Sequence, residues 1–129
     1  MSIPFPSDEW TKALCQALND SNAYAKAAQK WEGDIVLVID DVGGVYLDLW
    51  HGTCRKSEYT KKPESMKAEF QISGSFDLWT SILNGEIDPI QALVKRQLKL
   101  KGNLVKIMKN VKAAQELVAC AVTLDTAIS

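Results

Sequence analysis

The five residues IVLVI at positions 35–39 constrain the fold more than any other stretch of the chain. They are mostly β-branched and offer no polar position to water, and the run is far too short to cross a bilayer. A strand of this kind must be covered on both faces, so it belongs inside a sheet. The turn DDVGG follows it, with Gly43 and Gly44 able to take positive φ. VYLDLW then alternates, with Val45, Leu47 and Leu49 on one face and Tyr46, Asp48 and Trp50 on the other. That pattern predicts an antiparallel partner with one buried and one wet face.

Helical periods precede the hairpin. Ser7 is placed to cap a helix with Asp8 and Glu9 in its first turn, and Trp10, Ala13, Leu14, Ala17 and Leu18 recur at helical spacing. After NDSN a second helical stretch carries Tyr24, Ala25, Ala28 and Trp31 up to Gly33. Beyond the hairpin, residues 54–59 read as an irregular edge strand and residues 66–72 as a half-buried one, with Ala68, Phe70 and Ile72 on its apolar face. Ser75 caps a short helix bearing Phe76, Trp79, Ile82 and Leu83; Asp88 and Pro89 start another, with Ile90, Leu93 and Val94 as its apolar face. Residues 98–101 alternate as a strand that turns Leu98 and Leu100 inward and Lys99 and Lys101 outward. Asn103 then caps one long helix with Leu104, Ile107, Met108, Val111, Ala114 and Val118 on a stripe. This order predicts an α+β fold: a mainly antiparallel sheet with helices gathered on one face. A chain of 129 residues has room for one domain with a sizeable core, spanning 1–129.

Hydrophobic residues make up 47% and charged residues 24% of the chain, a globular composition that excludes a disordered or coiled-coil protein. The amino terminus has no basic region, and Pro4 and Pro6 interrupt its apolar residues, so no secretory signal is visible. The carboxy-terminal TAIS lacks an SKL-type address. A cytoplasmic setting follows, with Cys15, Cys54 and Cys120 expected as reduced thiols packed like small apolar residues. The net charge of −1 conceals an uneven distribution: residues 1–94 carry −6, residues 95–112 carry +7 and residues 113–129 carry −2.

The succession WEGDIVLVID, GGVYLDLW, MKAEFQIS, NGEIDPIQAL and LKLKGNLVKIMK resembles the sterol carrier protein type-two family, the lipid-transfer or sterol-binding domain. The likeness covers residues 31–118 and is most specific at GEIDPIQA followed by LKLKGN; PFPSDEW and LNDSNAYAKAAQKWEG look like stand-alone prokaryotic members. The resemblance implies a five-stranded sheet, a helical layer over it, and between them an apolar tunnel for a fatty acid, a fatty acyl-coenzyme A or a sterol. It implies no catalytic residue and no cofactor or metal. The large apolar positions placed to line such a tunnel are Leu47, Leu49, Phe70, Ile72, Trp79, Leu83, Ile90, Leu93, Leu98, Leu100, Leu104, Ile107, Met108 and Val111. Lys95, Arg96, Lys99, Lys101, Lys106, Lys109 and Lys112 are placed to meet an anionic headgroup or membrane surface. Many members have glycine just before the LKLKG-like strand, where this chain has Arg96 beside Lys95; the departure bears on the tunnel wall and on headgroup preference.

Two other functions stand beside the carrier. One is a small enzyme using His51 as acid or base near Asp48 or Asp40, since histidine titrates near neutrality. The other is an interaction module whose core is filled and whose basic helix docks a protein. The pair Asp40 and Asp41 precedes two glycines and is explained by turn chemistry rather than metal binding. Nucleic acid is not an expected partner, and the oligomeric state is open.

Overall fold

The computed structural model describes residues 2–124, 126 and 127. In chain order it contains β1 (Ile3–Pro4), α1 (Asp8–Asp20), α2 (Asn22–Ala27), β2 (Glu32–Ile39), β3 (Gly43–Trp50), β4 (Thr53–Thr60), a 3-10 turn (Pro63–Ser65), β5 (Phe70–Gly74), α3 (Phe76–Leu83), α4 (Pro89–Val94), β6 (Lys99–Lys101), α5 (Leu104–Met108), α6 (Val111–Val122) and β7 (Thr126–Ala127). Residues 128 and 129 of TAIS lie outside the described residues.

Five strands form one sheet in the order β4-β3-β2-β5-β6. All neighbours are antiparallel except β2 and β5, which run parallel. The α+β class follows as expected, and the run at 35–39 is central, with Ile35 opposite Leu47 on one side and Phe70 on the other. Ile35, Val36 and Ile39 are all buried, so both faces of β2 are covered. On the outer face the cover comes from the 3-10 turn: a Cβ on Gly44 would come within 2.7 Å of Pro63 Cβ and 3.2 Å of Val36 Cγ2. Gly44 is therefore required by close approach, not by backbone conformation. The left-handed residue of the turn is Asp41, at φ 63°, and neither Gly43 nor Gly44 uses its freedom to take positive φ.

The helices pack on the other face. Ser7 accepts from the Trp10 amide, Ser75 from Leu78, and Asn103 from Val105 and Lys106, so the expected caps start α1, α3 and α5. α1 lies against β4, burying Trp10, Leu14 and Leu18, while α6 touches all five other helices. Trp31 falls beyond the end of α2 and packs on Phe70, with ring centroids 5.2 Å apart.

Three expectations change. The segment at 66–72 enters the sheet only at Phe70. The last helix is two helices, broken at Lys109 and Asn110, and the break shifts the phase of everything after it. Cys15 and Cys54 are joined in a disulfide between α1 and β4, their Cα atoms 5.4 Å apart, and only Cys120 is a free, buried thiol. The two cysteines meet because α1 packs along β4, a tertiary contact with no sequence signature. Asn19 holds the same place, accepting from the Cys54 amide at 2.8 Å and donating to its carbonyl at 3.0 Å.

Candidate functional site: an apolar cavity under the helices

A cavity of about 90 Å³ lies between the inner face of the sheet and α2, α4, α5 and α6. Its floor is Ile35 and Leu37 of β2, Leu49 of β3 and Ile72 of β5, and its roof is Ile90, Leu93, Ile107, Ala113, Ala114 and Leu117. A second cavity of about 30 Å³ toward α1 shares Leu37, Trp79, Leu117 and Val118 with it. α6 contributes the small side chains of Ala113 and Ala114 to this roof.

Among the described residues no acidic, basic or imidazole side chain borders either cavity. The indole N–H groups of Trp31 and Trp79 donate to the carbonyls of Gly33 and Val38 at 3.0 and 2.9 Å, so neither ring offers a free donor. Tyr24 brings the one phenol; burial, with Cys120 nearby, pushes its ionisation well above the ordinary tyrosine range. Such a wall excludes water and accommodates apolar matter, and it offers no proton donor or acceptor that titrates near neutrality.

Of the apolar residues singled out in the sequence, Leu49, Ile72, Trp79, Ile90, Leu93, Leu98 and Ile107 border the larger cavity and Leu83 the smaller. Leu47 and Phe70 are fully buried in the surrounding core, while Leu100 and Val111 are half-buried and border neither. Leu104 and Met108 are corrected outright: they are 45% and 42% exposed. With the helix broken after Met108, Ile107 alone of α5 is buried, and the residues taken for one inward stripe no longer share a face. The residues missed are Tyr24, Trp31, Ile35, Leu37, Pro89, Asn110, Ala113, Leu117 and, as lining rather than stripe, Ala114 and Val118. Paired alanines in an otherwise large apolar helix were the available signal for Ala113 and Ala114.

The seven basic residues divide. Lys95, Arg96, Lys99, Lys101 and Lys109 are exposed and form no ion pair among the described residues. Lys112 pairs with Glu116 at 3.6 Å, and Lys106 with Glu69 at 2.7 Å. Arg96 has φ 62° and borders no cavity, so its substitution for glycine sits at a left-handed turn position and leaves the wall unchanged.

His51 is exposed, has φ 49°, and places Nε2 at 2.5 Å from Glu32 Oε2. Asp48 instead accepts from Arg55 at 3.1 Å, and Asp40 lies at the opposite end of the hairpin. The sequence-level pairing of His51 with either aspartate is therefore replaced by a surface contact with Glu32, outside both cavities.

A helix-covered, mostly antiparallel five-stranded sheet with an apolar cavity beneath the helices is an α+β fold that leaves room for apolar matter between its layers. Residues 11–115 match the SCP-2 sterol transfer family, and the chain belongs to it. A crystal structure of sterol carrier protein 2 is 35% identical, with a TM-score of 0.87, over 92% of this chain and 97% of the other. The solution structure of a conserved hypothetical protein from Thermus thermophilus is 34% identical, with a TM-score of 0.87, over 94% and 90% of the two chains. Sterol carrier protein-2 from Aedes aegypti, solved in complex with palmitate, shares the fold at 13% identity and a TM-score of 0.54, over 93% and 98%. None of the curated proteins matches the chain. Among the described residues no helix is long and apolar enough to cross a membrane.

Proposed function

We propose that the whole chain acts as one non-catalytic carrier that binds a fatty acid, fatty acyl-coenzyme A or sterol-like lipid in the cavity beneath its helices and passes it on. The observation that carries this reading is the wall itself, which is apolar, lies between the two layers of the core and, among the described residues, bears no acid or base that titrates near neutrality. Burying each methylene contributes about 0.8 kcal/mol, so a sixteen-carbon chain gains roughly 10 kcal/mol before ordering costs.

The cavity, at about 90 Å³, is smaller than the engineered cavity of ~150 Å³ that admits benzene, so a long chain needs the wall to move. α5 is a short part of that wall, five residues long with Ile107 as its one buried residue, and it is the segment whose displacement would open the cavity. Val94, Leu104, Val105 and Met108 stand exposed on α4 and α5, beside Lys95, Arg96 and Lys109. That mixture of apolar and basic side chains suits transient contact with an anionic membrane at the place where the wall opens.

Titration with palmitic acid and palmitoyl-coenzyme A, read by native mass spectrometry, should show saturable one-to-one binding. Ile107→Trp puts an indole into ligand space and should weaken binding at least tenfold while costing under about 1 kcal/mol of stability, whereas a filled core would lose about 1 to 3 kcal/mol. Met108→Trp, at an exposed position, should leave both unchanged. Absence of saturable binding with either ligand would rule the carrier out.

A further inference from the structure

The polar atoms on the wall of the larger cavity can be accounted for one by one. Trp31 and Trp79 have both indole donors satisfied by backbone carbonyls. The Asn110 amide nitrogen donates to the Lys106 carbonyl at 2.7 Å. Asn110 is half-buried at the N-cap of α6, where its side chain accepts no bond from the helix, and nothing turns its amide oxygen toward the cavity rather than outward. Tyr24 remains. It is 1% exposed, and its hydroxyl has no hydrogen-bond partner among the described residues. Every side-chain oxygen or nitrogen sealed off from water-sized space is satisfied, so the Tyr24 oxygen must still reach open space. Tyr24 is among the residues that line the cavity.

A phenol in that position gives the fold nothing that phenylalanine would not, and it forgoes the hydrogen bonds it made in water. It is, however, suited to a ligand. The hydroxyl both donates and accepts. No cation borders the cavity, so an ionised carboxylate drawn inside would lack a counter-charge, while an uncharged hydroxyl would not.

We propose that the Tyr24 hydroxyl is a specificity-determining contact that selects lipids carrying an uncharged hydroxyl on the part buried in the cavity, any ionised headgroup remaining outside. This rests on the carrier reading and adds a preference to it. A site built to pair a ligand hydroxyl discriminates in its favour, whereas a purely apolar wall penalises the same group.

The test compares palmitic acid with hydroxypalmitic acids bearing the hydroxyl at successive positions along the chain, each titrated into the parent protein and into Tyr24→Phe. One or more positions should bind the parent about tenfold more tightly than palmitic acid, the upper end of what one neutral hydrogen bond supplies. Tyr24→Phe should lose that preference, so that palmitic acid and its hydroxylated forms bind it alike, and should melt at the same or a higher temperature. The inference is overturned if hydroxylation weakens binding at every position, if the preference survives in Tyr24→Phe, or if Tyr24→Phe melts lower, since the hydroxyl would then serve the fold. Palmitic acid binding without any preference removes only the role of Tyr24; binding of none of the acids removes the carrier reading together with it.

Discussion

The Lys106 ammonium donates to the Glu69 carboxylate at 2.7 Å and to the Glu32 carbonyl at 2.5 Å, and lies 5.0 and 5.5 Å from the ring centroids of Trp31 and Phe70. These contacts fasten α5 to the start of β2 and to the residue just before β5, so Lys106 is a latch on the cavity roof rather than a free surface charge. Its side chain is one-third exposed, and solvent therefore screens part of the attraction. Lys106→Ala should cost about 1 to 2 kcal/mol in urea unfolding and speed lipid uptake in stopped-flow mixing, because α5 is released. A variant as stable and as slow as the parent would deny the latch. Tyr46 offers a second test, through pH. Its hydroxyl donates to Asp34 at 2.8 Å, and burial followed by that bond raises its pKa to about 12. The folded state thus holds this proton more firmly than the unfolded state, which loses it near pH 10. The resulting stability is complete below pH 10 and is lost as pH rises through about 12. Melting temperature should fall across that window, and more gently in Tyr46→Phe; equal slopes would mean that Tyr46 is not the group responsible.

Between elements, the decisive contact is α1 on β4. The disulfide from Cys15 to Cys54 closes a separation of 39 residues, for which loop-closure entropy predicts about 3 to 4 kcal/mol. Cys15→Ser with Cys54→Ser, or reduction of the parent, should lower denaturant stability by an amount of that order. A parent indifferent to reductant would show that the bond contributes nothing in solution. Asn19 should hold the register of β4 in the double variant, since its two bonds to the Cys54 backbone do not depend on sulfur. Such disulfides persist in oxidising compartments and are rare in the reducing cytosol, so the cytoplasmic setting expected from the sequence and the disulfide pull in opposite directions. The helix breaks and caps were unequally legible. Ser7, Ser75, Asp88 and Asn103 each announced a start, because a cap is a local hydrogen bond between near neighbours. Asn110 announced nothing, because it heads α6 without making the side-chain bond by which a cap is recognised.

At the scale of the molecule, a chain with net charge −1 carries +7 in residues 95–112. Of that charge, Lys106 and Lys112 are engaged with carboxylates, which leaves Lys95, Arg96, Lys99, Lys101 and Lys109 for an external partner. Transfer of lipid to anionic vesicles should therefore slow as salt is raised from 0.1 M to 1 M, where the Debye length contracts from about 10 Å to about 3 Å. Replacing Lys95, Arg96 and Lys109 with glutamate should abolish the salt dependence without lowering lipid affinity, measured with vesicles of defined phosphatidylserine content. A triple variant that transfers like the parent would leave these side chains as solvated surface.

The amino-acid sequence by itself determined the elements and their inner faces: the doubly buried run at 35–39, the alternation from Val45 to Trp50, and the helix starts at Ser7, Ser75, Asp88 and Asn103. Each of these is a local matter, set by period, propensity and hydrogen bonds within a few residues. The tertiary structure alone decided which apolar side chains enclose space and which fill it. Leu47 and Leu49 look equivalent along β3, yet only Leu49 borders the larger cavity, because helix positions above the sheet determine where atoms are missing. It also decided that Leu104 and Met108 face solvent, that Lys106 is spoken for, and that Cys15 meets Cys54. All three depend on the distance between segments remote in the chain, and periodicity carries no information about such distances.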